Sequence, residues 1–133
     1  MKFFRLERSG IDVAPLLAEV EANRAAWDAD TNRQDRITVQ RHTQAIILRG
    51  PVRRTDLPVN ENQESTTTAI SCAFPHALAF MERFAAHHRS VLARAAFVRL
   101  RSRSQVYRHI DFGSYYLIRN RYHAILYSAG TAC

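Results

Sequence analysis

Val98-Arg99-Leu100-Arg101-Ser102-Arg103-Ser104-Gln105-Val106-Tyr107-Arg108-His109-Ile110-Asp111, followed by Arg121-Tyr122-His123-Ala124-Ile125-Leu126, reads as two β-strands with chemically active inward faces. Alternate residues of a strand share a face, which sets His109 and Asp111 on one side, roughly 6.5 to 7 Å apart along the backbone. An imidazole and a carboxylate so placed are two of the three ligands of the 2-His-1-carboxylate triad, the donor set that leaves positions open on Fe(II). No spacing in the chain names the third. H-x-D alone is a weak signal, because six His and six Asp in 133 residues produce about 0.3 such pairs by chance.

The pattern gains weight from the second stretch, where Arg121 and His123 again fall on one strand face. Facing inward, an arginine beside a histidine calls for an anion, since buried charge must be paired. The opposite assignment puts Arg121 and His123 in solvent and Tyr122, Ala124 and Leu126 in the core. Periodicity does not separate the two, because Ile125 and Tyr127 make the Arg121 face apolar as well.

Outward from these strands, the chain places its helices early. Val13 to Trp27 forms an amphipathic helix pattern, with Asp12 as cap, Pro15 in the first turn, and Leu16, Leu17, Val20 and Trp27 on one stripe for packing on a sheet. Gln44 to Arg49 is a short buried strand ended by Gly50-Pro51. Val52 to Thr68 is polar and reads as a long loop, a surface connection or a lid. Pro75 opens a second helix that runs to about Ser90 on a stripe of Leu78, Met81, Phe84 and Ala85. Ala95 to Arg101, Gln105 to Asp111 and Tyr115 to Ser128 then read as strands. Arg99, Arg101 and Arg103 share one strand face, the solvated outside of the sheet. Helices first and strands late indicate α+β. His87 and His88 are neighbours that do not share a helix face, and their place suits the helix C-terminus. His42 and His76 read as polar surface or supporting residues. Ala129-Gly130-Thr131 is a turn that sends a strand back, with only Cys133 beyond it, which indicates a fragment cut within a β domain.

Composition sets the class. Apolar content of 47% and charged content of 23% are those of one folded globular domain. The net charge of +7 comes almost wholly from arginine, Lys2 being the only lysine. Guanidinium groups suit phosphate and carboxylate partners, but these are scattered from Arg5 to Arg121 with no dense basic run, which argues against nucleic acid. Cys72 and Cys133 form neither a disulfide framework nor a metal-ligand spacing. Charge interrupts the N-terminal apolar residues too early for a signal peptide, and no run approaches the ~20 apolar residues of a membrane span. A cytoplasmic protein without membrane attachment is the expectation.

His109-Ile110-Asp111-Phe112-Gly113, the Tyr115-Tyr116 spacer and Arg119-Asn120-Arg121-Tyr122-His123-Ala124-Ile125-Leu126 resemble the aspartyl/asparaginyl β-hydroxylase family, Fe(II)- and 2-oxoglutarate-dependent dioxygenases. Trp27, Arg36, His42 and the strand Ala45 to Arg49 are similar to that family's N-terminal portion. Only Val98 to Leu126 is specific. The resemblance implies a double-stranded β-helix, a jelly-roll or cupin-like core with N-terminal and flanking helices, here lacking its C-terminal strands. It implies metal binding by His109 and Asp111, with Arg121 and His123 holding 2-oxoglutarate and lining the substrate site. It also implies O₂ as cosubstrate and hydroxylation of an Asp or Asn side chain, in a peptide or a small molecule. The family's second iron histidine and a further 2-oxoglutarate arginine have no counterpart here. Unpaired edges on the last strand would then favour dimerisation or poor solubility. Two other classes stay open: a catalytically inert cupin-like module that binds a carboxylate, and an arginine-rich nucleic-acid-binding domain, whose affinity would fall steeply with salt.

Overall fold

The structure is a computed structural model that describes residues 5–30, 42–52, 56–58, 60–106 and 111–129. Two helices lie over a three-stranded antiparallel sheet, and a short third helix follows, so the architecture is α+β. Helix α1 spans Ala14–Ala22 and continues through Asn23 into a 3₁₀ turn, Arg24–Asp28. Strand β1 is Thr43–Pro51, β2 is Ser65–Thr67, and a second 3₁₀ turn, Ala69–Ala73, leads into α2, Pro75–His87. Strand β3 is Ala95–Leu100 and α3 is Ser114–Leu117. The sheet order is β2-β1-β3.

Helix α1 starts where the sequence places it. Pro15 sits in its first turn, where a missing N–H is harmless, and the Asp12 carboxylate accepts the Ala14 N–H at 3.0 Å. It stops well before Trp27 because Asn23 leaves the helical conformation. The Asn23 amide donates to the Glu19 carbonyl at 2.9 Å and to the Ala73 carbonyl at 3.2 Å, which ties the turn to the start of α2. The tighter 3₁₀ turn then swings Trp27 under the sheet. Pro75 opens α2, and His88 ends it after His87.

The core joins Leu16, Ala26 and Trp27 to Ile46 and Leu48 of β1 and to Phe74 and Ala77 at the start of α2. β1 is central in the sheet and buried along most of its length, as its unbroken apolar run requires. Its pairing with β3 runs from Thr43↔Leu100 to Ile47↔Ala96, then slips at Leu48 so that Arg49 meets Ala95. That bulge marks where β1 passes from β3 to β2, which pairs Arg49 to Pro51 with Thr67 to Ser65.

Three expectations are corrected. The loop expected over Val52 to Thr68 contains β2, whose three residues extend the sheet beyond Gly50. The faces of β3 are reversed: Phe97 meets Phe74 at 5.5 Å between ring centroids, while Val98 is 55% exposed. Arg99 therefore shares the face of Phe97, with its guanidinium 4.4 Å from the centre of the Trp27 ring, while the residue remains exposed. Phe97 offers more apolar area to the core than Val98, which decides the parity of a strand that is apolar on both faces. Tyr115 to Ser128 is not a strand: α3 occupies its start, and the described residues 118–129 hold no regular element. A strand needs a ladder partner, and among the described residues the ladders join only β1 to β2 and β3. Of the Gln105–Asp111 strand, residues 107–110 lie outside the described residues, and 105, 106 and 111 are irregular. The double-stranded β-helix, read from the resemblance, is a finer statement than this three-stranded sheet makes. No helix among the described residues is long and apolar enough to cross a membrane.

Candidate functional site

The site is built where the two motif stretches and the polar loop meet. Gly113 turns the chain between Asp111 and α3 at a φ of 108°, a region open to glycine and strained for other residues. It also lies flat on Asn60: an added Cβ would strike the Asn60 carbonyl oxygen and stand 3.0 Å from its carbonyl carbon. That close approach lets the Tyr115 N–H donate to the Asn60 carbonyl at 3.1 Å. Ser114 completes the clasp, donating its hydroxyl to Glu61 at 2.6 Å and accepting the Asn62 N–H at 2.7 Å. The loop that the sequence offers as a lid is therefore fastened to the segment that follows Asp111.

Tyr115 is buried beneath this clasp. Its hydroxyl accepts the Arg94 N–H at 3.0 Å, and the guanidiniums of Arg94 and Arg119 stand 3.7 and 4.1 Å from its ring centre. The electron-rich ring face offsets some of the cost of bringing two cations together. Burial pushes the Arg94 guanidinium below its ordinary range; Tyr115 and Tyr116 act in the opposite direction, and Arg119 adds to the lowering. Arg119 is further held by donating to the Tyr115 carbonyl at 3.1 Å. It lines an open cleft of about 450 Å³ with Val52, Asn62, Gln63, Glu64 and Ile118.

Asp111 and Arg121 form an ion pair, with the Asp111 side chain 30% exposed and that of Arg121 50% exposed. The Arg121 guanidinium stands 5.1 Å from the Tyr116 ring centre, and Tyr116 packs edge-on against Tyr115. Tyr122 turns the other way, onto Phe84 and His88 of the α2 terminus, at 4.9 and 5.0 Å between ring centres. Leu126 packs against the core. His123 is exposed. The segment adopts neither of the two strand-face assignments: it is not a strand, Ala124 is exposed along with Arg121 and His123, and Tyr122 and Leu126 touch the body while staying partly open to solvent.

Of the four residues singled out by sequence, the structure brings Asp111 and Arg121 together and leaves His123 in solvent, while His109 lies outside the described residues. Arg36 and Cys133 lie outside them too. Among the described residues no group of three His, Cys, Asp or Glu gathers as a metal site. Sequence reading did not find the Arg94–Tyr115–Arg119 cluster or the Asn60–Glu61–Ser114 clasp. The signal available for the clasp was Gly113 followed by Ser114, a turn pair next to a polar loop. No family model, curated protein or solved structure matches the chain.

Proposed function

We propose that this chain carries metal- and cosubstrate-binding residues of an Fe(II)- and 2-oxoglutarate-dependent dioxygenase that hydroxylates an Asp- or Asn-type side chain. The observation that supports the reading is the Asp111–Arg121 ion pair. It joins the carboxylate of H-x-D to the guanidinium of R-x-H without any strand ladder to align them. The three-stranded antiparallel sheet is compatible with one part of a double-stranded β-helix.

The donor chemistry fits the ion at the residue described: Asp111 is a partly exposed carboxylate oxygen donor within reach of a cation from solvent. His109, two residues before it, would add the imidazole. Fe(II) with 2-oxoglutarate and O₂ supplies the oxidation, in which 2-oxoglutarate leaves as succinate and carbon dioxide and one oxygen atom enters the substrate. The chain's own residues bind and orient. Arg121 has a planar fork that takes both oxygens of a carboxylate, and Asp111 engages it here. Asp111 would hold the cation and Arg121, freed from that pair, would hold a carboxylate of 2-oxoglutarate, so the two binding events would reinforce each other. Tyr116 backs the guanidinium and restricts where it can swing.

The test is anaerobic titration of the chain with Mn(II) as a spin probe for the Fe(II) position, with and without 2-oxoglutarate. Saturable binding is expected that tightens with 2-oxoglutarate and weakens at least about tenfold in His109→Ala and in Asp111→Ala, as loss of a ligand should. Equal binding in wild type and both variants would overturn the reading. Ordered binding without succinate release in the presence of O₂ and Asp- or Asn-containing peptides would instead identify an inert carboxylate-binding module.

A further inference from the structure

We propose that the open cleft of about 460 Å³ framed by Asp28, Gln44, Arg99, Leu100, Arg101 and Ser102 binds a small oxyanion, a carboxylate or a phosphate, with Arg99 as the gripping group. Arg99 of β3 sits opposite Gln44 of β1 in the sheet. Its guanidinium stacks on Trp27 at 4.4 Å, and its Nε–H donates to Gln44 Oε1 at 2.9 Å. The Gln44 amide in turn donates from Nε2 to Asp28 Oδ1 at 2.7 Å. Gln44 is 4% exposed and Trp27 5%, so both supports are fixed in the body of the protein.

This arrangement orients a guanidinium before anything binds. Trp27 fixes its plane, and Gln44 fixes its Nε edge. Asp28 fixes Gln44, because a carboxylate accepts only the NH₂ end of the amide and so leaves the carbonyl end for Arg99. An arginine that merely shielded Trp27 from water would need no second hydrogen-bonded layer behind it. The two Nη groups of Arg99 make no hydrogen bond among the described residues, and the residue lines the cleft. That end-on pair of donors matches two oxygens of a carboxylate or a phosphate. Arg101 adds a second cation on the same rim, and Asp28 opposes it with one negative charge, which limits the ligand to a small anion.

Trp27 is the chain's single tryptophan and lies in contact with the gripping group, so it reports on the site. The full chain is titrated with inorganic phosphate and, separately, with malonate at constant ionic strength, while Trp27 emission is followed and the heat of binding is measured. A saturable response to at least one anion in the millimolar range is expected, and the stronger of the two names the ligand's head group. Arg99→Ala should abolish the binding heat. Arg99→Lys, which keeps the charge but loses the fork and the stacking, should weaken binding about tenfold or more. Arg83→Ala, on the exposed side of α2, should leave it unchanged. No saturable response in the wild type, or equal heats in Arg99→Ala, would overturn the proposal. Should Arg99→Ala fail to fold, Arg101→Ala decides: weakening of about fivefold or more supports the site, and unchanged binding overturns it.

Discussion

Replacing Glu19 by alanine removes the strongest polar tie between α1 and α2. The Glu19 carboxylate is buried, and its two oxygens accept the N–H groups of His76 and Ala77 at 2.5 and 2.9 Å. These are among the orphan donors that every helix leaves at its N-terminus, and here the cap comes from a residue far away in sequence. A single N-cap side chain contributes about 0.5–2 kcal/mol, and hydrogen bonds to a charged group about 1.5–3 kcal/mol each. The negative charge at the positive end of α2 adds about 0.3–1 kcal/mol. Water can reach the vacated N–H groups and offset part of this, leaving a loss of about 2–3 kcal/mol for Glu19→Ala. Glu19→Gln keeps one acceptor oxygen and should lose about half as much, ~1–1.5 kcal/mol. The assay is urea unfolding followed by Trp27 emission, since Trp27 lies in the core that the two helices share. With an unchanged slope, the midpoint shift gives the free-energy difference. A loss below about 0.5 kcal/mol for Glu19→Ala, the range of neutral surface substitutions, would refute the capping argument.

The faces of β3 are tested by a pair of truncations: Phe97→Ala should cost about 2–4 kcal/mol, and Val98→Ala less than about 1 kcal/mol, read from the same unfolding curves. Gly113→Ala combines a left-handed φ with a collision on Asn60. It should cost at least about 1–3 kcal/mol and speed hydrogen exchange at the Tyr115 amide; unchanged exchange would show that the clasp does not depend on the glycine. Asp111→Asn breaks a half-exposed ion pair, so it should change stability by no more than about 1 kcal/mol while removing Mn(II) binding. A large loss of stability with intact Mn(II) binding would make Asp111 structural.

The resemblance and the structure bear on different parts of the candidate site. H-x-D and R-x-H were visible as letters, and strand periodicity offered two ways to face Arg121 and His123. The structure takes neither, because the segment forms no strand, and Tyr122 rests instead on Phe84 and His88, a contact that periodicity does not contain. The Arg99 relay was hidden for a similar reason, because Asp28, Gln44 and Arg99 come from three separate elements. Glu19 carries no local signal of its role either, since a cap is normally sought next to the helix it caps.

By itself the sequence determined the local elements whose causes are local, the first turns of α1 and α2 at Pro15 and Pro75 and the buried run of β1, and it indicated the α+β class, although the strands do not cluster after the helices. Proline geometry and uninterrupted apolar runs act within a few residues and leave little choice. Tertiary structure decided what depends on a distant partner. Phe74 selected Phe97 over Val98 as the inward residue of β3, Asn23 ended α1 by bonding to the carbonyl of Ala73, and Asn60 set the turn at Gly113. In each case the deciding contact is long-range, a packed ring pair or a hydrogen bond worth about 0.5–1.5 kcal/mol net, which no local pattern encodes.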